Sequence, residues 1–144
     1  MSTDVLKRVL VVEDEQSIRD ILVELFDVEG NSLVAASSLP EALEALRTRM
    51  FDFIVTDLRL GGKRDGGLQV MAMAGMVCHE ATVLVLTAYP DDSNRQASNR
   101  LGALHFLEKP ADLHTIALLA NDAGVSTAFG ASEGRRATGL SAVK

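Results

Sequence analysis

Five short apolar runs alternate with segments of helical period, and this alternation constrains the fold of the 144-residue chain more than any other feature. Each run has the length and composition of a buried strand. The runs are Val9–Val12, Ser32–Ala36, Phe53–Thr56, Thr82–Thr87 and Ala103–Leu107. Strict alternation of strands and helices predicts a parallel sheet covered by helices on both faces, which is a three-layer, doubly wound α/β fold.

Between the strands, apolar residues recur at helical spacing. The predicted inner faces are Ile18, Ile21, Leu22 and Leu25 in the first helix, Leu39, Ala42, Leu43 and Leu46 in the second, and Leu113, Ile116, Ala117 and Ala120 in the last. Gly30 stands where a C-cap of the first helix would lie. Ser38 and Glu41 form a capping box that opens the second helix. A third helix is predicted from about Leu68 to Val77.

The segment "DDSNRQASNRLGA", which begins at Asp91, has helical length but is polar almost all round. Only Ala97 and Leu101 are suited to face a core. Such a helix is weakly anchored. It is either a solvated surface helix or an element able to shift, and the sequence leaves both interpretations open.

Polar side chains end or follow four of the five predicted strands. Glu13 and Asp14 follow the first, Asp57 the third, and Lys109 the fifth, while Thr87 ends the fourth. Ligands of doubly wound folds bind beyond the carboxyl ends of the strands, so these groups are expected to meet at one edge of the sheet.

Three carboxylates at one edge repel one another, and a hard divalent cation relieves that repulsion. Oxygen ligands suit Mg²⁺, and no thiolate or imidazole stands at these strand ends, because His105 falls inside the fifth strand. A bound metal can neutralise a phosphoryl group during transfer, and a carboxylate can accept that group as an acyl phosphate. Lys109 and Thr87 would contact the phosphoryl oxygens.

Taken singly, each of these residues has an ordinary interpretation. Glu13 or Asp14 could be solvated or cap a helix, Asp57 and Thr87 could be turn residues, and Lys109 could be a surface charge. Five groups of complementary chemistry at the predicted strand ends favour a functional site instead.

The motifs "VLVVEDE", "FIVTDLRL", "VLVLTA" and "FLEKP" occur in this order and spacing. Together they resemble the receiver domain of two-component response regulators, the CheY-like family, from about Lys7 to Ala123. The resemblance implies a flavodoxin-like (βα)5 fold with strand order 2-1-3-4-5. It also implies a phosphorelay signalling protein rather than an enzyme.

By this resemblance, Asp57 would accept a phosphoryl group from a histidine kinase or a histidine phosphotransfer protein. Glu13, Asp14, Asp57 and the backbone carbonyl of Arg59 would hold Mg²⁺. Thr87 would be the switch hydroxyl and Lys109 the phosphate-contacting cation. Two further expectations are that Phe106 turns inward on activation and that the Lys109–Pro110 bond is cis.

The switch implied by the resemblance links the phosphoryl group to the polar segment. Thr87 would move to bond the phosphoryl group, and Phe106 would enter the space it leaves. Both contacts border residues 91–100, which would then present an altered surface to a downstream protein.

Departures from the family pattern concentrate after Asp57. Glu13 replaces the commoner aspartate, and Gly61 stands where proline is frequent. The loop "GGKRDGG" looks about one residue longer than usual and carries Lys63 and Arg64. It is expected to be mobile.

Bulky Arg59 and Tyr89 occupy positions that in this family influence loss of the phosphoryl group. They predict slow autodephosphorylation. Glu108 is expected to point away from the site, because strand residues alternate between faces.

Charge and composition bear on partners and location. Fourteen basic and 20 acidic residues give a net charge of −6, which favours neither nucleic acid nor an anionic membrane as a partner. Cys78 is the only cysteine, the chain has no membrane-length apolar run, and its start lacks signal-peptide features, so a cytoplasmic protein is expected.

The predicted receiver domain spans residues 1–123, followed by a flexible tail at 124–144 that is too short for a DNA-binding output domain. The start at Met1 favours a stand-alone receiver over a fragment. The sequence leaves open the downstream target and whether the chain forms a homodimer.

Three competing interpretations fit the sequence less well. A phosphohydrolase of the haloacid dehalogenase type would need an Asp-x-Asp pair, but "VEDEQS" offers adjacent acids. A flavodoxin-like flavin binder would need a hydroxyl- and glycine-rich first loop, and the acidic cluster would repel its phosphate. A degenerate receiver would lack some phosphorylation groups, whereas all are present here.

Overall fold

One five-stranded parallel sheet organises the computed structural model, which describes residues 6–130. The strands are β1 (Lys7–Val12), β2 (Asn31–Ala36), β3 (Phe53–Asp57), β4 (Thr82–Thr87) and β5 (His105–Glu108). The helices are α1 (Gln16–Phe26), α2 (Leu39–Thr48), α3 (Gly66–Val77), α4 (Asp92–Arg100) and α5 (Leu113–Asp122). The strand order is β2-β1-β3-β4-β5, which confirms the predicted doubly wound fold and its order 2-1-3-4-5.

Two apolar layers sandwich the sheet. Alternate residues of each strand point to opposite faces, so Leu10 and Val12 pack toward α2 and α3, while Val9 and Val11 pack toward α1 and α5. All four side chains are buried. Because the central strands are covered on both faces, they read as continuous apolar runs rather than alternating ones.

The C-terminal end of α1 and the N-terminal cap of α2 differ from the sequence prediction. Helix α1 ends at Phe26 with Asp27 as its C-cap, so the prediction that Gly30 caps it was wrong. Gly30 instead takes a positive φ of 99° in the turn before β2. Ser38 caps α2 by accepting from the Glu41 amide, but Glu41 accepts in return from the amide of Ser37, not of Ser38.

The polar segment forms helix α4, as its length predicts, but its buried residue was predicted incorrectly. Ser98 is fully buried, whereas Ala97 is half-buried and Leu101 is exposed. The following strand also differs from the prediction. Strand β5 begins at His105, two residues later than the predicted start, and it includes Glu108.

After α5, the chain folds back onto the domain through residue 130. Val125 is fully buried with the side chains of α1 and α5, and Asn31 Nδ2 donates to the Ser126 carbonyl at 2.9 Å. The Ala128 N–H donates to the Leu25 carbonyl at 2.8 Å. These contacts fall within the range 124–144 that the sequence assigns to a flexible tail; residues 131–144 of that range lie outside the described residues.

Across residues 6–130, no helix combines the length and the apolar character that crossing a lipid bilayer requires.

Candidate functional site

The register of the sheet brings the sequence-predicted groups to one edge. Val12 pairs with Thr56, so the next residues, Glu13 and Asp57, leave neighbouring strands side by side. Thr87 pairs with Glu108 on β5, which places Lys109 one residue beyond that pair. The Lys109 N–H donates to the Thr87 carbonyl at 2.8 Å, which ties these two strand ends together.

Glu13, Asp14 and Asp57 form the predicted acidic cluster. Each offers one carboxylate oxygen, and these atoms lie within 4.8 Å of one another. Glu13 is 1% exposed and Asp57 is 7% exposed, whereas Asp14 is exposed. Three oxygen donors at this spacing, open to solvent on one side, fit a hard divalent cation such as Mg²⁺ that keeps several water ligands.

Lys109 lies inside this cluster as its counter-charge. Its Nζ donates to Glu13 Oε1 and to Asp57 Oδ2, both at 2.8 Å. Burial opposes the charged ammonium, but these two bonds outweigh it, so the pKa of Lys109 is raised. Burial also raises the pKa of Glu13, against the effect of its bond to Lys109. Ionisation of Glu13 is therefore still disfavoured at this site, even with the Lys109 ammonium in place.

Thr87 is buried, and its hydroxyl is engaged by the following loop. Thr87 Oγ1 accepts from the Tyr89 N–H at 2.9 Å, and the Tyr89 carbonyl accepts from Asn94 Nδ2 at 2.8 Å. This chain of bonds runs from the site into α4. The Arg59 guanidinium carbon lies 4.1 Å from the centroid of the Tyr89 ring, so a cation–π contact connects the loops after β3 and β4.

Phe106 is half-buried on β5 and packs against the apolar layer under α2 and α3. The Arg95 guanidinium of α4 covers its ring at 4.4 Å from the centroid. Glu108 is exposed, in agreement with its predicted direction away from the site. The Lys109–Pro110 bond is cis, as expected.

Sequence reasoning missed the residues that fix the backbone around the site. A Cβ on Gly67 would collide with the Asp57 carbonyl oxygen, and the Gly67 N–H donates to the Leu58 carbonyl at 2.8 Å. Arg19 Nη1 donates to the Glu13 carbonyl at 3.0 Å. The Gly61 N–H donates to Asp14 Oδ2 at 2.8 Å. The glycine pair at the start of α3 was the one signal in the sequence for a close approach.

Comparison with known proteins identifies the family. A family model described as the response regulator receiver domain matches residues 9–121. The chain belongs to the response regulator receiver domain family. Members of this family are signalling modules phosphorylated on an aspartate. This assignment favours the receiver interpretation over the phosphohydrolase and the flavin binder.

Two similar curated proteins differ greatly in length. Sporulation initiation phosphotransferase F of Bacillus subtilis is 28% identical over 110 residues, which are 76% of this chain and 87% of that protein. The alginate biosynthesis transcriptional regulatory protein AlgB of Pseudomonas aeruginosa is 33% identical over 113 residues, which are 78% of this chain but 25% of that protein.

Similar solved structures include a response regulator from Burkholderia pseudomallei with a phosphorylated aspartic acid, a calcium ion and citrate. It is 32% identical with a TM-score of 0.68, and the match covers 79% of this chain and 65% of that one. The beryllofluoride-activated NtrC4 receiver domain dimer is 30% identical with a TM-score of 0.72, and the match covers 82% of this chain and 96% of that one. Receiver domains thus bind a divalent metal at an acidic pocket of this kind.

Proposed function

We propose that Asp57 of this receiver accepts a phosphoryl group from a histidine kinase or a histidine phosphotransfer protein. The observation that carries the proposal is the position of Asp57, which is buried, accepts from Lys109 and lies beside the other two carboxylates of the acidic cluster. Glu13, Asp14, Asp57 and the backbone carbonyl of Arg59 would hold Mg²⁺. The bound ion would supply positive charge to the oxygens of the incoming phosphoryl group.

The chain's own residues account for the transfer. A carboxylate oxygen of Asp57 forms a bond to phosphorus as the bond from phosphorus to the donor imidazole breaks, which leaves an acyl phosphate on Asp57 and a histidine on the donor. Lys109 exchanges its bond to Asp57 for one to a phosphoryl oxygen. Glu13 keeps the ammonium in place through its own bond at 2.8 Å.

Phosphorylation with a small donor tests the acceptor. The protein is incubated with MgCl₂ and acetyl phosphate, and a hydroxylamine-labile gain of one phosphoryl group is measured by mass spectrometry. Asp57→Asn should abolish the gain, while Asp20→Asn, which changes an exposed aspartate on α1, should leave it intact. Undiminished labelling of Asp57→Asn would contradict the assignment.

An apolar groove beside the site supports a protein as the physiological donor. The groove measures about 480 Å³ between α1 and the start of α5, and Ile18, Ile21, Leu113 and Pro110 line it next to Lys109. Ile21 is 47% exposed. Ile21→Asp should slow transfer from a phosphorylated histidine kinase but leave labelling by acetyl phosphate unchanged. Equal slowing with both donors would argue against docking in this groove.

The switch is proposed to run from Thr87 into α4. When Thr87 turns its hydroxyl to the phosphoryl group, it gives up the Tyr89 N–H, and the bond from Tyr89 to Asn94 passes that change to the helix. Phe106 would then leave the guanidinium of Arg95 and move inward. Hydrogen exchange across residues 90–107 should change on addition of beryllofluoride and Mg²⁺. Identical exchange would exclude this route.

Arg59 and Tyr89 are proposed to slow loss of the phosphoryl group. Their cation–π contact spans the loops after β3 and β4 and so restricts the approach of water. The half-life of the acyl phosphate should shorten when both are replaced by alanine. A lifetime of seconds in the unmodified protein would contradict this proposal.

The partners and location follow from the same proposal. The net charge of −6 supports output through contacts with proteins rather than with nucleic acid or membrane. The single cysteine, Cys78, fits the reducing environment of the cytoplasm, where we propose that the protein acts. By similarity to the Bacillus relative, 87% of which the match covers, we propose that this receiver acts through contacts with other proteins. Light scattering with and without beryllofluoride would determine whether it forms a homodimer.

A further inference from the structure

The loop between β3 and α3 contains a tight turn built on two glycines. Leu60 and Lys63 exchange two backbone hydrogen bonds, at 3.0 and 2.9 Å. The two residues between them, Gly61 and Gly62, have φ values of 58° and 82°. Positive φ at both central residues is the signature of a type I′ turn, which favours glycine because side chains resist this conformation.

The turn directs a backbone donor at the acidic cluster. The Gly61 N–H donates to Asp14 Oδ2 at 2.8 Å. The other two carboxylates, those of Glu13 and Asp57, accept from Lys109 instead. Asp14 is exposed, so without this donor its side chain would be held only by its own rotamer preference.

The buried side chain of Leu60 anchors the turn to the domain. Leu60 is 1% exposed in the apolar layer, and a Cβ on Gly66 would approach the Leu60 Cβ to 2.8 Å. The loop is thus seated against the start of α3, although it is glycine-rich. Its donor is therefore oriented before any ligand arrives, and a pre-oriented group costs less entropy on binding.

We propose that Gly61 is a positioning residue for the divalent-cation site, acting through its N–H on the carboxylate of Asp14. This inference rests on the proposed metal binding. A carboxylate has about four acceptor positions, so Asp14 can accept from Gly61 and still ligate a cation. The left-handed turn, rather than the absence of a side chain, is what the site requires, because open space surrounds the position of a Gly61 Cβ.

Two variants separate these requirements. Gly61→Asn and Gly61→Val both retain the N–H and the charge, and both side chains would enter open space. Asparagine tolerates positive φ, whereas a β-branched residue does not. The dissociation constant for Mg²⁺, from NMR titration with MgCl₂ alone, should stay within about twofold for Gly61→Asn and rise about fivefold or more for Gly61→Val.

The outcomes distinguish the two proposals. A wild-type chain that shows no saturable Mg²⁺ shift would contradict the proposed function itself. Wild-type binding that Gly61→Val matches would overturn only the role of Gly61. Hydrogen exchange in the metal-free wild-type protein gives a second test, which does not depend on whether a Gly61 variant folds. The Gly61 amide should be protected in the wild-type protein and should lose that protection in Asp14→Ala. An unprotected wild-type amide would overturn the inference.

Discussion

Lys109 shows how one side chain sets the state of the site. Its ammonium bonds two of the three carboxylates, so it takes the place that a divalent cation's charge would fill. Pairing buried charges in this way limits the repulsion without removing it. Metal and lysine therefore compete for the same negative field, although they need not exclude each other.

Replacing Lys109 by glutamine should have opposite effects on folding and on metal binding. Without Mg²⁺, the free energy of unfolding should fall by about 1–3 kcal/mol, because two buried acceptors lose a charged donor. The affinity for Mg²⁺ should rise severalfold, because the competing charge is gone. Urea unfolding in EDTA and a Mg²⁺ titration measure the two effects.

Lys63→Gln is the matched control for this prediction. Lys63 is exposed on the loop after β3, so its replacement removes the same charge without breaking the buried bonds. It should change both quantities only slightly. Mg²⁺ affinity that is unchanged or weaker in Lys109→Gln would show that the lysine does not compete with the metal.

Glu13 makes the stability of the metal-free protein depend on pH. Its pKa is raised from 4.5, chiefly by burial, so as the pH rises the folded state keeps the Glu13 proton to a higher pH than the unfolded state does. The stability linked to that proton is fully present below pH 4.5 and is lost as the pH rises through the folded pKa. Urea midpoints in EDTA should show this decline, and Glu13→Gln should flatten it. A parallel profile for the variant would assign the dependence to other groups.

At the level of elements, the contact between α3 and β3 requires glycine at one position. A Cβ on Gly67 would meet the backbone of Asp57 and Leu58, which cannot move as a flexible side chain could. Gly67→Ala should therefore lower the free energy of unfolding by about 2 kcal/mol or more. It should also weaken Mg²⁺ binding, because the displaced backbone carries Asp57.

Gly75, in the same helix, supplies the control. A Cβ at this position would enter open space, and the φ of Gly75 is not in the left-handed region. Gly75→Ala should stabilise the protein by about 0.5–1 kcal/mol through helix propensity alone. Equal effects of the two substitutions in urea unfolding would contradict the close approach.

Helix α4 shows where sequence patterns stop predicting packing. Hydropathy favours Ala97 and Leu101 as its inner residues, but Ser98 is the one fully buried. A short helix held near a sheet can bury a serine because the side chain is small, and the Ser98 hydroxyl has no hydrogen-bond partner among residues 6–130. The buried hydroxyl weakens the attachment of α4, which is consistent with the proposed shift of this helix.

Over the whole molecule, the sequence predicted the residue positions that follow from the strand order, but not the contacts that depend on loop conformation. Parallel strands end at one edge, so Glu13, Asp57 and Lys109 could be placed together from the alternation of elements alone. The bond from Gly61 to Asp14 could not, because it joins residues 47 positions apart through a turn whose geometry has no periodic signal.

The packing of the segment after α5 is another feature that the sequence did not predict. Its glycine-rich composition favours a flexible tail, yet one valine is fully buried there. Val125, Ala128 and Phe129 are too few to establish a period, so the burial of Val125 follows from its packing against the apolar side chains of α1 and α5 rather than from a local pattern.

Truncation tests how much of this segment the domain needs. Ending the chain after Ala123 removes Val125, whose burial is worth about 1.5–3 kcal/mol. It also removes the bonds from Asn31 to Ser126 and from Ala128 to Leu25, at about 1 kcal/mol each. The free energy of unfolding in urea should therefore be about 3.5–5 kcal/mol lower for a chain that ends after Ala123 than for a chain that ends after Gly130. Because Val125 lies in the apolar layer under α1, the shorter chain should also expose the Leu25 and Phe26 amides to faster hydrogen exchange. Equal stability of the two truncated chains would mean that the fold is complete at residue 123.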